Sequence, residues 1–435
     1  MSEKYDAIII GAGIIGCCIG FEMAKKGYKS LNVDKLPTAG EGSTVNSCGI
    51  IRTHYSTWDG AAIAYEGSFY WKDWENYLGV EDESGLAKYI NTGCLVFKTE
   101  RNNYLKHVCE NLNDLGIEWE ELTPDQIREK MPLFDVHKFW PPRRPEDPKF
   151  WDESTEQIDG AIFTPLAGYV TDPQLSCHNV QRAAEAHGAE FRFNAEVVDV
   201  RKDGNRVIGI TLKGGEEIDA PILVNVAGPH SFIINRMAGV EEDMNIKTRA
   251  LRQEVCHVPS PEEFDYEKDG FIASDGDIGC YSRPEVGNHI LIGSEDPDCD
   301  ELEYVDPDNF NRDLTDAQWK AQVYRMAKRL PSLPIPSKMQ GVVDLYDASD
   351  DWIPIYDKSK LDGYYMAIGT SGNQYKNAPV VGKLMTELIV KCEAGYDHDA
   401  DPFKYKLENI GRTINLSFYS RKREINPESS FSVIG

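Results

Sequence analysis

The sequence is short of positive charge. Its 46 Lys and Arg stand against 72 Asp and Glu, a net charge of −26 over 435 residues. A chain this acidic is repelled by phosphate backbones and anionic lipid, which excludes a nucleic-acid or polybasic membrane role. Paired cysteines are missing as well. The 10 cysteines are scattered, none forms a C-x-x-C pair, and Cys17 and Cys18 are too close in sequence to bridge each other easily. This pattern excludes a disulfide scaffold and a zinc site, and it fits reduced thiols in a cytoplasmic protein. No apolar run reaches membrane-spanning length. The longest uncharged one, Ala7 to Phe21, has fifteen residues and four glycines, too few to span a bilayer. Asp6 abuts it and no small-residue cleavage site follows, so it does not read as a secretory signal. Internal repeats and low-complexity tracts are absent.

What is present supports a sizeable core. Hydrophobic residues make up 41%, aromatics 10%, with 8 Trp and 21 Tyr. At about 150 residues per domain the length allows roughly three units, and two large lobes fit equally well.

The first motif comes at once. Asp6 to Ile10 reads as a strand, Gly11-Ala-Gly13-Ile14-Ile15-Gly16 follows, and Ile14 to Gly27 reads as a helix. Ser30 to Asp34 is a second strand ending in an acid, 18 residues after Gly16. Each part has a physical purpose. Gly11 permits a tight turn, Gly13 lets backbone approach a pyrophosphate, and Gly16 lets helix and strand pack closely. The helix N-terminus faces the diphosphate and Asp34 accepts hydrogen bonds from a ribose diol. G-x-G-x-x-G alone is a weak signal; between a strand and a helix, with the acid at this spacing, it predicts a dinucleotide site. Its place near residue 1 favours FAD over NAD, and Asp34 disfavours a 2′-phosphate.

Repeated strand–helix units do not follow. A small-residue loop, Thr38 to Gly49, precedes a helix expected over Gly60 to Tyr77 and a strand over Asn91 to Phe97. Helices are expected over Leu105 to Leu115 and Thr123 to Met131. Residues 137–158, rich in Pro and Trp, form a loop whose aromatics should pack on the body of the protein, either as surface decoration or as a lid or partner contact. Asp172 and Pro173 open another helix. Val197 to Val200, Arg206 to Leu212 and Glu217 to Ile218 form an antiparallel meander, turning at Asp203-Gly204-Asn205 and Gly214-Gly215. It interrupts a parallel unit that resumes with the buried strand before Gly228. Strands then come around Glu254 to Val258, Gly279 to Ser282 and His289 to Ile292, and a helix over Asp316 to Leu330. Near the C-terminus a second glycine-rich turn, Gly369 to Gly372, lies between the strand Gly363 to Ile368 and the helix Val380 to Cys392. One dinucleotide motif does not require a second such turn; a cofactor held at both ends does, the helix N-terminus stabilising charge at its pyrimidine end.

In this order the chain resembles the D-amino acid oxidase superfamily of flavoproteins, and within it the sarcosine oxidase and N-methyl amino acid oxidase/dehydrogenase group. The likeness runs through the N-terminal fingerprint, Gly42-Ser43, Gly49-Ile-Ile-Arg52-Thr-His-Tyr55, Thr92-Gly93-Cys-Leu-Val-Phe97 and Gly168-Tyr-Val. It continues through Val226-Ala-Gly228, Arg252-Gln253, Tyr281-Ser-Arg-Pro284, Leu291-Ile-Gly293 and Gly369-Thr-Ser-Gly372-Asn-Gln-Tyr-Lys376. It implies an α/β (α+β) fold: a Rossmann-like FAD-binding domain from 1–87, 165–243 and 346–397, and a substrate domain with a mostly antiparallel sheet and a C-terminal extension from 88–164, 244–345 and 398–435. It also implies that Lys35, Thr44, Val197, Ala227, Gly228, Gly369, Gly372, Asn373, Gln374, Tyr375 and Lys376 border the FAD, beside Gly42, Ser43 and the fingerprint residues.

The resemblance further implies that Arg52 and Lys376 hold an amino acid carboxylate, Arg as a planar fork and Lys as a point charge, and that Tyr346 lies near the substrate. His54 and Tyr55 read as local packing. The implied reaction passes a hydride equivalent from the C–H beside a secondary or tertiary amine to flavin. The imine then hydrolyses, releasing formaldehyde when an N-methyl group is oxidised. The sequence departs from the sarcosine oxidases at several positions. Asp344 stands where the monomeric enzymes attach FAD through cysteine, so the FAD is expected to be non-covalent, and Cys48 to be a free thiol. Leu291 stands against an oxygen-activating lysine, Glu295 against a histidine and Gly49 against an arginine. These changes leave the electron acceptor open between oxygen and a protein or quinone, and Glu295 suits a second cationic group on the substrate. Rival readings are a D-amino acid or glycerol-phosphate oxidoreductase, the flavin-bearing subunit of a larger dehydrogenase complex, and an NADH-driven relay. An oligomer is compatible with any of them.

Overall fold

The computed structural model describes residues 4–100 and 105–433. Two sheets organise it. The first has six strands in the order Ile355–Lys358, Tyr364–Ile368, Leu223–Asn225, Ala7–Ile10, Ser30–Val33, Glu190–Arg192. All neighbours are parallel except the first pair. Alternation along Ala7–Ile10 shows how the sheet is covered. Ala7 and Ile9 join the cluster under the helices Ile14–Lys25, Pro173–Ala186 and Ala378–Glu393. Ile8 and Ile10 join the cluster under the meander Val197–Asp203, Arg206–Leu212, Glu217–Asp219 and the helix Ser231–Ala238. A strand buried on both faces reads as one continuous apolar run, as this one does. The carboxyl ends of its strands open onto Gly11, Asp34 and Ala227, the edge where open α/β sheets bind ligands.

The second sheet has eight strands, in the order Gly341–Ser349, Thr248–Pro259, His289–Ser294, Cys280–Glu285, Ile272–Asp275, Cys94–Phe97, Ala161–Thr164, Glu120–Leu122. Only Ile272–Asp275 and Cys94–Phe97 run parallel among these pairs. Trp319, Val323 and Met326 of the helix Asp316–Arg329 seal one face of it. This is the mixed fold expected from the sequence. The strand Gly341–Ser349 runs unbroken through position 346, where the expected lobes divide.

Local differences have local causes. The helix expected over 60–77 is two helices, Trp58–Lys72 and Trp74–Leu78, broken where Asp73 leaves helical geometry, with Trp71 and Trp74 stacked 4.4 Å apart across the break. The strand expected over 91–97 is divided between two sheets, because Gly93 takes a left-handed φ of +79° and its N–H turns to the Ala167 carbonyl. In the 137–158 loop, Asp277 accepts from the Phe139 and Trp140 amides, and Phe150 is buried. Trp151, expected to pack, is 63% exposed; its ring lies near Phe150 and, at 6.0 Å, Tyr324, and its Nε1 donates to the Pro145 carbonyl.

Candidate active site

A cleft of about 560 Å³ runs from the Gly11 turn to Arg52 and Lys376. At the Gly11 end the backbone leaves no room for side chains. Gly11 sits at φ +124°, and a Cβ there would lie 2.3 Å from the Val226 carbonyl oxygen; one on Gly16 would lie 2.2 Å from that of Gly11. The helix beginning at Ile14 has no side-chain cap at Gly13, which leaves the Ile15 and Gly16 amides to an anion. The Ile14 amide is engaged, donating to Thr44 Oγ1 at 3.1 Å. Asp34 accepts from the Ala12 and Leu36 amides at 2.7 and 2.9 Å. Burial raises its pKa, and those two donors oppose the shift. Lys35 is held by Asp308 and by His230, the latter at 2.8 Å. Ile15, Gly42, Ser43, Val197, Ala227 and Gly228 also border the cleft. Cradle, acid and cleft size together fit an elongated dinucleotide such as FAD.

The second glycine turn differs from expectation at one point. Gly372, Asn373, Gln374, Tyr375 and Lys376 border the cleft, but Gly369 lies behind it. The Gly369 amide instead donates to buried Asp347 at 2.6 Å. Burial lifts the Asp347 pKa to about 7, partly offset by the Gly369 and Ser231 donors. A helix does not start directly at this turn either: a short 3-10 turn, Tyr375–Asn377, precedes the helix from Ala378. Gly372 is held to glycine by its φ of +69° and by Tyr346, whose ring would lie 2.4 Å from a Cβ.

Arg52 follows the strand Ile50–Ile51, which pairs with Gly168–Val170 in a separate three-stranded sheet, and Lys376 lies in the 3-10 turn after the first sheet's strand Tyr364–Ile368. Both are buried. Lys376 Nζ donates to Tyr55 Oη at 3.0 Å and to the Asn373 carbonyl at 2.7 Å. Arg52 donates to the carbonyls of His54 and Val433, and its Cζ lies 4.3 Å above the Tyr55 ring. Tyr55 therefore joins the two cations, a role its reading as local packing did not anticipate; its spacing of three from Arg52 was the available signal. Among the described residues no carboxylate lies within 4.0 Å of either cation, whereas buried Arg325, Arg329 and Arg421 and half-buried Arg423 each hold an Asp. Burial and the nearby Arg52 charge push the Lys376 pKa well down. The same burial, with Arg52 and Lys376, keeps His54 neutral.

Tyr346 and Glu295 border the same cleft. Glu295 is buried and accepts from Ser274 Oγ at 2.6 Å. Cys48 is a free thiol, 3.4 Å from Tyr281 Oη, and burial raises its pKa. Asp344 accepts from Asn46 at 2.6 Å. Leu291 does not border the cleft.

A glycine cradle at the carboxyl edge of a parallel sheet, with an acid for the ribose and a long cleft over a second, antiparallel sheet, defines the class of dinucleotide-dependent flavoproteins. The comparison with known families agrees: the chain belongs to the FAD dependent oxidoreductase family, which it matches over residues 6–388. It is an FAD-dependent enzyme. It is 24% identical over 427 residues to the sarcosine oxidase subunit beta of Rhodobacter capsulatus, covering 95% of this chain and 91% of that protein. It is 26% identical over 417 residues to the human peroxisomal sarcosine oxidase, covering 91% and 94%. The structure of L-proline dehydrogenase from P. horikoshii superposes with a TM-score of 0.76 at 22% identity, covering 97% of this chain and 98% of that one. No helix among the described residues is long and apolar enough to cross a membrane.

Proposed function

We propose that this protein oxidises the C–N bond of a small N-substituted amino acid, an N-methyl amino acid first of all, and that it works in the cytoplasm. The observation that carries this reading is the pair Arg52 and Lys376. Two buried cations that share a cleft, with no carboxylate partner among the described residues, are costly unless an anionic ligand completes them. Non-covalent FAD, held by the fingerprint residues, Asp34, the 42–44 loop and the 372–376 turn, supplies a hydride acceptor when bound. The chain supplies placement. Arg52 and Lys376 hold the carboxylate, and Tyr55 keeps the two cations together. Tyr346 and Glu295 shape the wall around the amine. The amine must enter neutral for hydride to leave its α or methyl carbon, and hydrolysis of the product imine needs no further residue. The names of the sarcosine oxidase relatives support the substrate class.

An anaerobic panel of N-methyl amino acids, D-amino acids, glycerol phosphate and NADH tests this. N-methyl amino acids are expected to bleach the flavin absorbance; bleaching only by D-amino acids, glycerol phosphate or NADH overturns the reading. Oxygen added afterwards separates the acceptors: slow reoxidation points to a protein or quinone acceptor and fast reoxidation to oxygen.

A further inference from the structure

The C-terminal segment reaches into this cleft, and nothing in the chemistry above uses it. Its course is set by Asp351, which is fully buried. Arg423 forks onto the Asp351 carboxylate at 2.7 and 2.9 Å, and Ser429 Oγ donates to the Asp351 carbonyl at 2.6 Å. The Phe431 amide closes back on Ser429 Oγ at 3.1 Å. Phe431 then takes a left-handed φ of +50°, a conformation costly for a residue with a bulky side chain. That turn sends Val433 inward. Its side chain packs with Tyr346 against Leu251, Ala348 and Trp352, and its carbonyl accepts from Arg52. A strained turn, a buried anchor and a tip on the cation thus fall within a few residues.

We propose that residues 429–433 form a strap that competes with the substrate carboxylate for Arg52; this rests on the reading of Arg52 as a carboxylate ligand. A carboxylate takes two parallel N–H donors of a guanidinium; the Val433 carbonyl occupies Nη2, and Nη1, which already donates one hydrogen to the His54 carbonyl, keeps a second. A carboxylate is the stronger acceptor, so it displaces the carbonyl, and the strain at Phe431 helps the tip leave. Until then the strap taxes binding, because affinity falls by the fraction of open sites. A strap closed about nine times in ten costs a ligand about tenfold, or about 1.4 kcal/mol.

The test compares the FAD-loaded full chain with a chain ended at Glu428, titrating acetate and reading the flavin absorbance. Acetate is expected to bind the shortened chain about tenfold tighter, with FAD content unchanged. Phe431→Pro serves as a second variant, since proline cannot take a φ of +50° and lacks the N–H that caps Ser429; it is expected to tighten acetate too, and it decides the matter if the shortened chain loses its flavin. Acetate binding that is unchanged or weaker in the variants overturns the strap and leaves the carboxylate site standing. If acetate perturbs the flavin of neither the full chain nor the variants, the carboxylate site falls, and the strap with it.

Discussion

Replacing Lys376 with methionine separates a residue kept for a ligand from one kept for the fold. The Lys376 ammonium is buried and meets two neutral oxygens, Tyr55 Oη and the Asn373 carbonyl, with Arg52 near enough to oppose its charge. Such a charge costs several kcal/mol to desolvate, and neutral acceptors return part of that. Methionine matches the length of the side chain and fills irregular space. It leaves no acceptor stranded, because Tyr55 Oη already donates to the Asn373 carbonyl at 2.8 Å. Lys376→Met is therefore expected to leave the ligand-free protein as stable as before, or to raise its melting temperature by a few degrees. Acetate binding should weaken by at least about 2 kcal/mol, roughly thirtyfold. The pH dependence carries a sign as well. The native pKa of Lys376 is depressed, so between that value and about 10.4 the unfolded chain holds the proton and the native one does not. Stability of the parent protein gains from this group as pH rises through that window, and the variant lacks the gain. Acetate affinity of the parent falls over the same rise. Thermal melts and acetate titrations of both flavin-loaded proteins, from about pH 7 to about pH 10, check all three. A variant that melts well below the parent yet binds acetate normally refutes the reasoning and makes Lys376 structural.

Two further perturbations test the turn that carries Lys376. Asp347 has its pKa raised to about 7 by burial, so the native state keeps a proton that the unfolded chain releases near pH 4. Its contribution is full below about pH 4 and is lost as pH rises through about 7, up to about 4 kcal/mol over the interval. Asp347→Asn should flatten this part of the slope in denaturant melts at pH 5 and pH 8; equal slopes in parent and variant count against it. Gly372→Ala places a Cβ 2.4 Å from the Tyr346 ring at a φ of +69°. It should destabilise the turn by about 1–3 kcal/mol and lower the ratio of flavin to protein absorbance after purification, and a full flavin load shows that the turn is not a wall of the cofactor site.

Much of the fold was legible because its signals are local. Strand, glycine turn and helix follow within twenty residues at the N-terminus, and Asp34 sits one strand later, so spacing alone brings them together. The meander announced itself through Asp203-Gly204-Asn205 and Gly214-Gly215. What stayed hidden depends on contacts between distant residues. Nothing near Asp347 in sequence shows that its carboxylate caps the Gly369 turn, 22 positions on. The Arg52–Val433 contact spans 381 positions, and no periodicity reaches that far. Gly369 and Gly372 look alike in sequence, yet one faces Asp347 and the other Tyr346, because the turn between them reverses direction. Trp151 shows the opposite failure: composition predicts burial, but a proline-rich loop can shield one ring with another and leave the second in solvent.

A net charge of −26 is at first sight a poor basis for attracting a carboxylate. At physiological ionic strength, however, charges are screened beyond about 8 Å, so the distant acids contribute little inside a cleft. Neighbours within a few ångströms decide, and there the acidic chain has been selective. Its Asp residues neutralise the arginines that brace the fold from inside: Asp300 for buried Arg325, Asp275 and Asp277 for buried Arg329, Asp357 and Asp399 for buried Arg421, Asp351 for half-buried Arg423. Arg52 and Lys376 receive backbone carbonyls and a tyrosine instead. Carbonyls orient a cation without cancelling it. The surplus of acid elsewhere thus sharpens the meaning of its absence here among the described residues, since a chain with 72 acidic residues had ample means to pair these two cations, as the proposed carboxylate ligand would.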